Sequence, residues 1–161
     1  MNENVQVKSI VKILQNAIKD NWLSEPEDVK KLKLGSVKGA YEHISNAILY
    51  AESETREMVE YLWYIKIMTE KEEIGFNVAK VITSKILDSK QDKWIKWYNF
   101  EKVSVIIKKA VIGINETKSK DEFLSILEPL QIFIGKINFW LDSLVPWLSI
   151  ASVFDYTLLN R

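Results

Sequence analysis

Residues 7–18, "VKSIVKILQNAI", decide the fold class. Val7, Ile10, Val11, Leu14, Ala17 and Ile18 recur at three- and four-residue steps, while Lys8, Lys12 and Gln15 fall elsewhere on the wheel. That period, with Lys19 also off the apolar stripe, predicts an amphipathic helix of about five turns. The polar run "NWLSEPED" (21–28) ends it, and Ser24 and Pro26 open a turn or a one-turn helix over Glu27 to Lys33.

The same period continues along the chain. Ser36 is placed as the N-cap of a second helix with a buried stripe of Val37, Ala40, Tyr41, Ile44, Ala47, Ile48 and Ala51. A third helix is expected from about Glu54 to Glu72. Met58, Val59, Leu62, Trp63, Tyr64, Ile65, Ile67 and Met68 surround most of its circumference, which predicts a central position in the bundle. A fourth helix holds Val78, Val81, Ile82 and Ile86. A fifth begins around Trp94 and carries Val103, Ile106, Ile107, Ala110, Val111 and Ile114 in phase. Ser119 with Glu122 three residues on is a capping box for a sixth, followed by Phe123, Ile126, Leu127 and Leu130. Pro129 predicts a kink or a fresh start there. No alternating strand pattern, internal repeat or low-complexity tract competes. The reading is all-α: a single-domain helical bundle of six to seven helices over residues 1–161, with an apolar C-terminal helical segment at about 130–160.

A chain of 161 residues can bury about two-thirds of its unfolded surface, so it needs neither disulfides nor metals for stability. It has no cysteine, which excludes a thiol nucleophile and cysteine-ligated zinc or iron–sulfur. The first residues, "MNENVQVKSIVKILQ", lack the basic start and small-residue cleavage site of a signal peptide, and a cytoplasmic location is expected. Formal net charge is zero, yet it is banded. Residues 29–41 hold four lysines and no acid; 52–73 hold seven acids against Arg56, Lys66 and Lys71; 80–109 hold eight lysines against three acids.

Residues 130–159 carry only Lys136, Asp142 and Asp155. Their longest uncharged run, Ser143 to Phe154, is twelve residues and contains Pro146. A spanning helix needs about twenty, and an aspartate at its centre costs about 3 kcal/mol. A membrane segment is therefore not expected. A buried helix pair, or a face that docks on a neighbouring subunit through Phe139, Trp140, Trp147 and Phe154, is.

Nothing nominates an enzyme, a cofactor, a metal or a small-molecule substrate. The sole histidine, His43, has no orienting carboxylate on its own helix face. Asp88 with Asp92, and Glu70 with Glu73, read as solvated helix ends. There is no Walker-type loop and no G-x-S-x-G elbow. In "DKWIKWYNFEK" (92–102), aromatics alternate with Lys93, Lys96 and Lys102, a pattern that suits single-stranded nucleic acid. But Trp94, Trp97 and Tyr98 sit one helical turn apart as core residues do, and packing is the favoured reading.

The remaining signal is "VKKLKLGSVKGAY" (29–41). Lysines oppose the positive end of a helix dipole unless an anion faces them, and free amides at a helix start with nearby glycines form a phosphate site. The order of "LKLGSVKGAYEHISNAI", then "EMVEYLWYIKIMTEK", then "DEFLSILEPLQIFIGKINFW" resembles the small helical subunit of type III CRISPR effector complexes. In that family an arginine is more typical where Lys38 stands. The resemblance implies a non-catalytic defence protein that packs with copies of itself and other subunits of a ribonucleoprotein. It would hold the guide and target RNA backbone through Lys33, Lys38, Lys66 and Lys71, joined on charge by Lys30 and Lys31. The alternative is a helical protein-interaction module, an adaptor or a viral or defence-related inhibitor, docking through its tryptophan-rich C-terminal segment.

Overall fold

A computed structural model describes residues 5–19, 41–98 and 101–159. Among these residues it contains five helices and no strand: α1 (Val5–Lys19), α2 (Tyr41–Glu70), α3 (Phe76–Tyr98), α4 (Glu101–Glu116) and α5 (Lys120–Leu159). The all-α reading holds at that level, and the expected six to seven helices are corrected to five among the described residues. The expected short helix over Glu27 to Lys33 and the Ser36 cap lie outside them.

Two expected breaks are absent. The second and third helices of the sequence reading are one, because Glu52, Ser53 and Glu54 contain no glycine or proline. A single buried seam also crosses the junction: Ile48, Ala51, Thr55, Met58, Leu62, Ile65 and Thr69, at alternating three- and four-residue steps. Likewise α5 runs through both Pro129 and Pro146. An interior proline costs about 3 kcal/mol. Against that, α5 buries nine large side chains between Phe123 and Leu144, each worth about 1.5–3 kcal/mol. Burial wins.

α5 is the axis of the bundle: it touches every other described helix and packs most extensively along α2. The central place expected for the stretch within α2 belongs to α5 instead. Short connections, residues 71–75 between α2 and α3 and 117–119 between α4 and α5, make these consecutive helices neighbours. Buried apolar side chains from all five helices form one cluster, from Val7 to Leu144. At one end, the rings of Phe76 and Phe123 meet edge to face, with centroids 6.2 Å apart.

Helix ends follow the expected chemistry. The Glu122 amide donates to Ser119 Oγ at 3.1 Å, and the Glu122 carboxylate accepts from the Lys118 amide at 2.8 Å. The capping box is therefore present, reaching one residue further back than the usual pattern. Asp121 and Glu122 also face the positive end of the α5 dipole. Two lysines close the opposite ends of other helices. Lys136 on α5 donates to the carbonyl of Ile18, and Lys80 on α3 donates to that of Thr117 at 2.6 Å. Lys136 thus has a reason to sit in an apolar stretch: its stem crosses the core edge and its ammonium serves the last turn of α1.

Candidate interaction surface

Beside the α2 seam Val59 packs against the core and Ile67 and Met68 are half-buried, while the apolar residues on the far side of the helix are left outside. Trp63 is 49% exposed and Tyr64 57%, with Tyr61 and Tyr50 also exposed on the same helix. The sequence reading counted Trp63 and Tyr64 among central residues, and the structure corrects this. Their rings meet edge to face at 5.2 Å, which fixes a two-ring platform on the surface. Two acids lie near it: Glu60 is exposed, and the half-buried Glu57 accepts a hydrogen bond from the Tyr61 hydroxyl. The guanidinium of Arg56 turns back one turn to Glu52, at 3.7 Å.

α3 is rotated from its expected register as well. Val78, Val81 and Ile82 were expected inside and are exposed, while Ile86 is half-buried. Ala79, Thr83, Ser84 and Leu87 face inward instead. The buried hydroxyls are satisfied: Thr83 donates to the Ala79 carbonyl at 2.7 Å and Ser84 donates to Asn115 Oδ1 of α4 at 2.9 Å. Small and hydroxyl-bearing residues let α3 approach α4 closely, and that packing selects the register over the larger aliphatic stripe.

The residues expected to form sites are dispersed. Phe139 on α5 is the most exposed large apolar residue described, at 76%. Its neighbour Trp140 is half-buried and packs on the core. The remainder of the apolar segment as far as Leu144 is mostly core: Leu130, Phe133, Ile134, Ile137, Leu141 and Leu144 are all buried. The side chains of Trp147 and Phe154 lie outside the described residues, as do those of His43, Trp94 and Trp97. Lys66 is half-buried on α2 and Lys71 is exposed in the turn after it. Lys30, Lys31, Lys33 and Lys38 lie outside the described residues, so no geometry joins them to Lys66 and Lys71.

No catalytic arrangement emerges among the described residues. No cluster of His, Cys, Asp and Glu there could hold a metal ion, and no helix is long and apolar enough to cross a membrane. A groove of about 620 Å³ runs between α1 and the first turns of α5, with Lys8, Lys12 and Lys19 on one wall and Asp121 and Glu122 on the other. Its one hydroxyl, that of Ser125, donates to the Glu122 carbonyl at 2.6 Å. The aromatic surface of α2 was legible only through the seam. Once Ile48 to Thr69 are recognised as one seven-residue repeat, Trp63 and Tyr64 must lie outside it.

No curated protein and no solved structure matches this chain. A family model does match, over residues 7–144 of 161, bounds that coincide with the first and last residues of the described apolar core. That core, built on one long axial helix with four others around it, is the helical bundle the family's description names. The chain belongs to the cucumopine synthase C-terminal helical bundle domain family.

Proposed function

We propose that this chain is a non-catalytic helical docking module that holds a protein partner against the exposed aromatic face of α2. The observation that carries the reading is the pairing of one continuous buried core with a Trp63–Tyr64 ring pair left outside it. Tryptophan and tyrosine concentrate binding energy at interfaces because they bury large area at small entropic cost. The family's name agrees in kind: in cucumopine synthase a bundle of this type is the C-terminal domain, so it sits beside another part of a protein. Phe139 on α5 offers a second anchor.

A second reading places the same module in a CRISPR ribonucleoprotein, with lysines on the guide–target RNA backbone. The exposure of Lys71 favours it. Recovery of the tagged chain from its native cells at rising salt separates the two. Under the docking reading, protein partners remain with wild type and with Lys71→Glu, and are lost with Trp63→Ala plus Tyr64→Ala. Under the RNA reading, short RNA is recovered, falls away steeply as salt rises, and is lost with Lys71→Glu. Protein partners retained in full by the aromatic double variant would end the first reading.

A further inference from the structure

The charge banding of the chain becomes a geometric relationship in the fold. The outward face of α2 over residues 57–64 is aromatic and acidic: Tyr61, Trp63 and Tyr64 with Glu57 and Glu60. The outward face of α4 over residues 105–112 is aliphatic and basic: Val105 and Ile112, two turns apart, with Lys108 and Lys109 between them, all four exposed. Each face extends over two turns, about 10 Å of helix. α2 and α4 share no contact within the bundle, so the two exposed faces do not cover one another in a single chain.

We infer that the partner docked on α2 is α4 of a second copy of this chain; this rests on the docking reading above and specifies its partner. Opposite signs on matched apolar patches favour that pairing. Like-to-like contacts are opposed, since α2 on α2 sets carboxylates against carboxylates and α4 on α4 sets lysines against lysines. The contact is therefore heterologous. A heterologous contact leaves one α2 and one α4 face free at the ends, so association continues into rows or closes into a ring. The zero net charge of the chain removes the long-range repulsion that would oppose it.

The test is sedimentation of the purified full-length chain across a concentration series at low and high salt, with two surface variants. One carries Trp63→Ala and Tyr64→Ala, the other Lys108→Glu and Lys109→Glu, and circular dichroism verifies that both are folded. Wild type should grow beyond a dimer with concentration, with affinity falling about tenfold or more at high salt. Each variant alone should be monomeric. An equimolar mixture of the two should form a one-to-one pair and nothing larger, because each retains one competent face. A wild-type monomer at the highest soluble concentration, a closed dimer unaffected by either variant, or a mixture that stays monomeric overturns the inference. If the chain is monomeric yet its native protein partners are lost with the aromatic variant, this inference falls and the docking reading stands.

Discussion

Asn138 of α5 donates its side-chain amide to the hydroxyl of Thr55 at 3.0 Å and to the carbonyl of Glu52 at 2.8 Å, both on α2. Thr55 is fully buried, and its own proton goes to the Ala51 carbonyl at 2.8 Å. This polar linkage helps to pin the register of the two longest helices, and Gln131 of α5 adds a longer one to the Val59 carbonyl of α2 at 3.4 Å. A buried hydrogen bond contributes about 1 kcal/mol net, and an orphaned partner costs more. Asn138→Ala should lower stability by about 1–2 kcal/mol in denaturant unfolding. Thr55→Val alone should also destabilise. The two changes combined should cost less than their sum, by a coupling of about 0.5–1 kcal/mol. Strict additivity would mean that the linkage does not hold the helices together.

The α2 register makes a sharper prediction from two adjacent residues. Leu62 is fully buried, and Trp63, the larger side chain, stands half outside. Leu62→Ala should cost about 2–5 kcal/mol through lost burial and the cavity left behind. Trp63→Ala should cost no more than about 0.5 kcal/mol, as surface changes usually do. Comparison of the two midpoints at equal m-value checks this. The reverse order would show that α2 is turned by a quarter or more, with the tryptophan inside.

That contrast also explains which parts of the fold the sequence disclosed. α1 and the start of α5 were legible because each shows one dominant apolar stripe, Val7 to Ala17 in the first and Phe123 to Leu130 behind the Ser119–Glu122 box in the second. α4 was legible in its buried stripe but not in its start, since the expected beginning around Trp94 belongs to α3 and α4 opens at Glu101. α2 and α3 were not, because they carry apolar residues on more than one face. Sequence spacing then says that a helix exists but not which side meets the core. The choice was made by neighbours far along the chain: Asn115 receiving Ser84 on α3, and Asn138 reaching Thr55 on α2. Pro129 misled, for the opposite reason, only in that no fresh start occurs there. Its local cost is real, and it is outweighed by burial summed along a helix that touches all the others. Phe139 was legible as a candidate anchor, whereas its sequence neighbour Trp140 is turned toward the core by one step of helix rotation.

The turn after α2 stores a removable strain. Glu72 adopts φ 57°, a left-handed conformation that favours glycine. The amide of Glu73 reaches back to the Met68 carbonyl at 2.9 Å and that of Glu72 to Thr69 at 3.1 Å, the paired bonds of a Schellman ending. Glu72→Gly should raise stability by about 0.5–1 kcal/mol. The carboxylate also meets Lys120 at 3.1 Å, but on an exposed pair worth at most about 1 kcal/mol. Lys120→Ala measures that share separately. A fall in the thermal midpoint for Glu72→Gly larger than that for Lys120→Ala would refute the strain assignment.

Gly113 lies where α1, α4 and α5 converge, and it decides how close they come. A methyl group built there would stand 2.5 Å from the δ-methyl of Ile10 on α1 and 3.1 Å from that of Ile126 on α5. The first neighbour is the end of a flexible side chain and can rotate, although the Ile10 γ-methyl at 3.3 Å limits how far. Alanine gains about 1 kcal/mol of helix propensity over glycine, which offsets the cost of moving one methyl. Gly113→Ala should therefore be nearly neutral. Gly113→Val has no such escape, because its branched carbon crowds both isoleucines at once, and overpacking of this kind costs about 1–3 kcal/mol. Ile10→Val, by shortening the clashing side chain, should restore part of that loss in the double variant. Equal stability of the alanine and valine variants would show that the three helices do not meet at this glycine.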